Sequence, residues 1–471
     1  MKRYIYIPVL AYSFFLCSCE DFVEIDTPNF EMVSTDIFAN EETARVAIKG
    51  IYNQLRPSFF IGGISVYAGF SGNLIRPRIS HEIYDAFWQH ELSATNSPDA
   101  TTNLNIWSSA YNIIYLCNSL MEGINNSENL SEKFKDSLRG QAMFIRAFTY
   151  FYLVNIYGDV PLLLTTNYKI NALASIDNQE IVWDQIETDL LESMNLLKNE
   201  TAYPEEERFY VTHHAVLALL SRVYLYRQLW DKAEEYSSML IEQTTDFEIL
   251  DDLDQVFMAH NREAIWQIDP MGGYATNIVT AEGKAFAILV LTFPGFTHVQ
   301  GIALLADHFI LNFEHDDQRL EKWIGAYEQG GEEYNYIYKY KENLSSVNNK
   351  EATVVLRLAE QYLIRAEART HLKKIDLAIS DLDVIRSRAN INLLSAYPGE
   401  LNQEELLDSI MLERKREFFG EFGHRWFDLK RIGAIEEEFS NSPTWQAIDA
   451  WYPIPDEERQ KNPNLGQNQG Y

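Results

Sequence analysis

Carboxylates, arginines and a histidine crowd one stretch of the chain, Glu413 to Arg431, where Glu413 and Glu417 stand one helical turn apart and Glu421, His424 and Asp428 follow. Paired carboxylates beside a histidine are the residue types of general acid–base catalysis. The same density of acids and arginines suits a buried ionic scaffold, because a charge removed from water has to be paired, and the stretch reads as scaffold. A glycosidase acid pair needs only to meet in space at about 5–10 Å, which spacing along the chain does not test. Metal chemistry finds less support. His81-Glu82 lacks the second histidine of a zinc protease helix, and the adjacent His213 and His214 point to different faces of a helix. Asp251-Asp252-Leu253-Asp254 and Glu314-His315-Asp316-Asp317 lack the glycine and terminal glutamate of an EF-hand loop and read as solvated turns. The chain has no Gly-x-Ser-x-Gly elbow and no phosphate-cradling glycine loop. No cofactor and no metal is expected.

A second kind of chemistry is suggested by aromatic rings beside Asn, Gln and Arg. Flat rings cover the C–H faces of pyranoses, and planar amides and guanidinium groups meet their hydroxyls. Two places qualify. The first is 70–105, with Asn73, Arg76, Arg78, Tyr84, Phe87, Trp88 and Gln89. Its run Asp85 to His90 lies among turn-formers with no clear helical face, which predicts an exposed Trp88. The second is 270–340, with Tyr274, Phe293, Phe296 and Trp323. Core packing competes with ligand binding for each of these rings.

Composition narrows the partners. A net charge of −30 repels phosphate backbones and argues against nucleic acid. Aromatic residues at 13% and hydrophobic residues at 46% belong to a folded globular chain. Lys2 and Arg3 followed by an apolar run to Leu16 read as a secretory leader, too short to span a membrane. Leu16-Cys17-Ser18-Cys19 reads as a lipobox, with residues 1–18 removed and Cys19 lipidated. Cys117 then remains alone, so the mature chain has no intramolecular disulfide and depends on its core.

The elements that carry these residues are mostly helical. Apolar spacing predicts helices over 41–55, 104–124, 135–157 and 178–198, the third closed by Gly158 and Pro161. Residues 212–243 and 355–388 read as helical hairpins of tetratricopeptide type, with Ser221 and Ala366 each twelve residues before the alanines Ala233 and Ala378. Trp183-Asp184-Gln185-Ile186 is a looser copy. Residues 246–350 form a loop-rich, glycine-punctuated insertion with short strands such as 264–268 and 287–291. A helix capped by Asn402 covers about 403–419.

Several ordered blocks resemble the SusD/RagB family: the leader Cys19-Glu20-Asp21-Phe22 with Pro28; Trp107, Tyr111, Ile114 and Asn118; Arg146-Ala147-Phe148 through Tyr157-Gly158-Asp159-Val160-Pro161. Arg357, Glu360, Tyr362, Leu363, Ala366 and Glu367 form another, and Glu413-Arg414, Glu417, Glu421 with Arg425-Trp426-Phe427-Asp428-Leu429-Lys430-Arg431 the most distinctive. Tyr452-Pro453-Ile454-Pro455, Asn462-Pro463-Asn464-Leu465 and Gln467-Asn468 close the series. The resemblance implies a mostly α fold of tetratricopeptide-like pairs. It implies one domain over 19–471: a helical scaffold at about 36–245 and 351–435, the insertion at about 246–350 and a tail at 436–471. It also implies a surface-exposed outer-membrane lipoprotein that binds oligosaccharide or polysaccharide and passes it to a SusC-type TonB-dependent transporter. Peptide binding in the same kind of importer and a surface glycoside hydrolase are the alternatives. These blocks match the family's scaffold, whereas ligand residues vary among its members.

Overall fold

The computed structural model describes residues 37–471 apart from 57, 204–206, 244, 270–278, 295, 343–350, 398 and 400, with backbone alone at 59, 296 and 297. The leader, Cys19 and Tyr274 lie outside the described residues, as does the side chain of Phe296.

Each long helix starts at a polar cap and buries one face. Helix α1 (Glu41–Leu55) begins where Asn40 accepts the Thr43 N–H, and it buries Ala44, Ile48, Ile51 and Leu55 at helical spacing. A broken helical segment over 59–71 contains a π turn at Ile64–Ala68 and delivers the chain to strand β1 (Ile75–Pro77). Helix α2 (Glu82–Gln89) follows, then α3 (Pro98–Asn126), capped by Ser97 with Pro98 in its first turn. Helix α4 (Glu132–Tyr157) stops at Gly158, whose φ of +77° no β-carbon tolerates well. The short α5 (Tyr168–Asn171) precedes α6 (Gln179–Leu196).

Helices α7 (His213–Tyr226) and α8 (Trp230–Ile241) form one antiparallel pair. Helices α9 (Leu358–His371) and α10 (Ile375–Arg388) form the next, and α8 packs on α9 although more than a hundred residues separate them. Ser221, Ala233, Ala366 and Ala378 are all fully buried, as close helix crossing requires. Helices α4 and α6 are a third pair; a β-carbon on Gly140 would stand 2.7 Å from Leu197 Cγ. Trp183 lies in the second turn of α6, not at its start, so this pair is out of phase with the other two.

The insertion is built from two-stranded antiparallel sheets. Strand β2 (Ala264–Ile268) pairs with β8 (Thr353–Arg357), and both are wholly buried. Strands β3 (Leu289–Phe293) and β4 (Phe296–Gln300) make a hairpin, β5 (Ala303–Leu305) pairs back to β1, and β6 (Ile324–Gln329) with β7 (Glu332–Ile337) makes a second hairpin. Helix α11 (Gln403–Glu417) opens with a capping box, Asn402 and Glu405 exchanging side-chain bonds with each other's backbone N–H. Helices α12 (His424–Arg431) and α13 (Asp456–Lys461) complete the chain.

The Glu413–Arg431 stretch is an ionic core. Arg357 bonds Glu263 at 3.0 Å, Glu417 at 2.6 Å and Glu421 at 2.9 Å. Arg319 holds Asp317 at 2.8 Å, Glu413 at 2.6 Å and Glu417 at 3.1 Å, while Arg388 bridges Glu263 and Glu417. Lys339, just past β7, donates to the Glu417 carbonyl and to Glu421. Through Arg319 before β6 and Lys339 after β7, these charges clamp the second hairpin to α11.

Candidate ligand-binding surface

Helix α2 presents three rings on one face. His81, Tyr84 and Trp88 stand at i, i+3 and i+7, the spacing that stacks side chains along a helix. The His81 and Tyr84 rings are parallel within 28° at 4.6 Å, and Phe70 backs Tyr84 at 5.6 Å. Trp88 is half-buried, packed against the core from one side. The line of three rings spans about 10 Å of helix axis.

Sequence periodicity reads this stretch as turn, and the structure corrects it to helix. The helix is set by local polar bonds: the His81 ring caps the Ile83 N–H, while the Asp85 carboxylate accepts from the His81 N–H at 2.9 Å and Ser80 Oγ at 2.6 Å. His90 in the left-handed conformation ends it. Phe87, expected beside Trp88 as a ligand platform, is instead fully buried against Tyr67 at 4.6 Å and Tyr452 at 5.4 Å. It anchors the helix. Trp323 also needs correction: it is 0% exposed, its indole N–H donates to the Leu253 carbonyl at 3.0 Å, and Lys339 Nζ stands 4.5 Å from its ring. A ring closed off by cations and core residues offers no platform.

Strand β1 lies beside α2 and carries polar groups to the same neighbourhood. Arg76 reaches the Tyr334 ring of β7, 5.8 Å from its centroid. Arg78 is spent on structure, donating to the Gly301 carbonyl at 2.8 Å and the Val299 carbonyl at 3.1 Å. Asn73, at φ +59°, lines an open cleft of about 450 Å³ with His308, Arg425, Glu437 and Glu438. Arg425 is fixed by Glu438 at 2.6 Å. Burial, reinforced by Lys415, lowers the His308 pKa and keeps its imidazole neutral at pH 7.

Two platform tyrosines escape a sequence reading. Tyr327 and Tyr334 face each other directly across the β6–β7 hairpin with centroids 5.6 Å apart, both half-exposed. The alternation Tyr334, Tyr336, Tyr338 is the available signal, since a period of two places side chains on one strand face. The β3–β4 hairpin leaves Val290 and Phe293 exposed, with Phe293 paired to Phe296 at its end.

The surface supplies rings, amides and guanidinium groups. The carboxylates that resembled catalytic groups are elsewhere: Glu413 and Glu417 are wholly buried and bonded to arginines. Burial pushes the Glu417 carboxyl up, but Arg388, Arg357 and Arg319 outweigh it and hold the group well below the usual carboxylate range. Among the described residues no group of three His, Cys, Asp or Glu side chains is placed to hold a metal ion, and no helix is long and apolar enough to cross a membrane.

Comparison with known proteins agrees with this architecture. Residues 73–225 match a SusD-like family described as starch-binding, associating with outer membrane, and residues 330–450 match the SusD family. SusD-like protein P25 of Formosa agariphila is 23% identical over 98% of both chains. The fold superposes on a SusD superfamily protein from Bacteroides vulgatus with a TM-score of 0.77 at 21% identity, covering 92% of this chain and 100% of that one. A laminarin-binding SusD-like protein gives 0.74 at 21% identity over 92% of this chain and 100% of that one. With two family matches falling on the helical scaffold and its ionic block, the chain belongs to the SusD/RagB family.

Proposed function

We propose that this protein binds oligosaccharide or polysaccharide at the outer-membrane surface, anchored by lipid on Cys19, and passes it uncleaved to a SusC-type TonB-dependent transporter. The observation that carries the reading is the row of His81, Tyr84 and Trp88 on one face of α2, next to Arg76 and Asn73. Stacked rings with flanking planar polar groups are suited to sugar rings and poor at breaking bonds. The family description as starch-binding and the laminarin-binding structural neighbour support a glucan as the first ligand to try. Shallow sites of this kind bind at micromolar to millimolar Kd, about −8 to −4 kcal/mol. A lipid tether beside a transporter offsets weak affinity by raising the local concentration.

The test is retardation of the purified protein in native gels cast with laminarin, starch and a panel of other polysaccharides, with new reducing ends measured in parallel. Retardation without reducing ends is the expected result. Steady release of reducing ends, abolished by one carboxylate substitution, would overturn the binding reading in favour of hydrolysis. Co-purification of a β-barrel transporter with the lipidated protein from outer membranes tests the delivery step.

A further inference from the structure

A second cleft shares no residue with the α2 surface. It lies where α3, the segment 161–174 and α13 meet, and encloses about 330 Å³, within the range of small-molecule sites, roughly 300–1,000 Å³. Its walls are tied in place: Tyr111 donates to the Pro161 carbonyl at 2.9 Å, Asn118 to Leu163 at 2.9 Å and Asn462 to Ala174 at 2.7 Å. Trp107 and Tyr111 form the floor, their ring centroids 4.8 Å apart. Tyr168 stands on the rim and is 80% exposed. Polar groups converge on the same space. Asn171 gives its amide N–H to the Thr165 carbonyl at 2.7 Å, but its Oδ1 is buried with no hydrogen-bond partner. Glu458 and Lys461, paired at 2.7 Å, line the far side.

This lining is amphipathic in a particular way. An exposed tyrosine ring has little reason to stand in water unless something covers it, and a buried acceptor without a donor favours a ligand that brings one. A ligand with one apolar flat face and several hydroxyl donors meets both requirements. We propose that this cleft is a second carbohydrate site, in which one sugar ring stacks on Tyr168 above Trp107 and a hydroxyl donates to Asn171 Oδ1. The proposal rests on the chain being a glycan binder, and it makes binding of long polymers two-point, with avidity that short oligosaccharides lack.

The experiment uses the whole mature protein labelled with 5-fluorotryptophan, its resonances assigned by single substitution, and titrated separately with laminarihexaose and maltohexaose. Trp88 reports the α2 surface and Trp107 the second cleft, so the two sites fail independently. The expected result is that the Trp107 resonance shifts with saturable millimolar dependence on one of the sugars. Tyr168→Ala should abolish that response while leaving the Trp88 response and the circular dichroism unchanged. A Trp107 resonance unmoved by both sugars while Trp88 responds overturns the second site and leaves the first reading standing. Silence at both overturns the two together. A Trp107 response that follows protein concentration instead of sugar, as when two copies pack through Leu164, Ile170 and Leu173, also overturns it.

Discussion

Replacing Glu417 by glutamine removes one charge from the centre of the ionic core. Three arginines then lose their shared acceptor: Arg357 at 2.6 Å, Arg319 at 3.1 Å and Arg388, which is closest. All four side chains are almost completely buried, so water does not replace the lost partner. Removing one member of a buried ion pair costs about 3–5 kcal/mol, because the remaining charge stays uncompensated. For a folded region of this size the unfolding entropy is about 0.9 kcal/mol/K, so each kcal/mol moves Tm by about 1 °C and Glu417→Gln should lower it by roughly 3–5 °C. The pH dependence carries the sign. The folded pKa of Glu417 lies well below its unfolded value near 4.5, so its contribution is fully present above pH 4.5 and is lost as pH falls toward the folded pKa. Scanning calorimetry from pH 7 down to pH 3 should therefore show the wild type and variant converging below pH 4.5. A Tm change under about 1 °C at pH 7, or a gap that widens in acid, would refute the account of this block as a charge-matched clamp.

Trp88→Ala should weaken binding of the retarding polysaccharide at least tenfold, about 1.4 kcal/mol, by calorimetric titration; because Trp88 is only half-buried, Tm should stay within a few degrees. An unfolded variant or unchanged affinity would remove Trp88 from the site. Tyr334→Ala deletes the ring beneath Arg76, and an exposed cation–π pair is worth about 0.5–1 kcal/mol, so affinity should fall two- to fivefold; no change would exclude the β6–β7 hairpin. Cys19→Ser should abolish incorporation of labelled palmitate and release the protein from outer-membrane fractions; continued labelling would disprove the anchor position.

The comparison of sequence with structure is clearest residue by residue. The helices 41–55, 212–243 and 355–388, the Asn402 cap and the stop at Gly158 were legible, because helical periodicity and capping are local. Ser221 and Ala366 were legible as crossing points for the same reason. The pairing of Glu413 and Glu417 with arginine followed from the cost of burying charge. The identity of the arginines did not: Arg319, Arg357 and Arg388 come from distant segments, and only folding brings them to one carboxylate.

Ring exposure was the least legible property. Phe87 and Trp88 are neighbours in the chain with opposite environments, one wholly buried and one half-exposed, because a helix turns consecutive side chains by about 100°. Trp323 carries the same composition signal as a platform and sits in the core, since its burial depends on Leu253, Lys339 and Phe419 arriving from elsewhere. By itself the sequence determined which residues are helical, where helices cross and that the acids need partners, because those depend on spacing and on the energetics of single groups. Tertiary structure alone decided which aromatic faces meet solvent and which polar groups stand beside them, because exposure belongs to the packed surface and not to any residue in it.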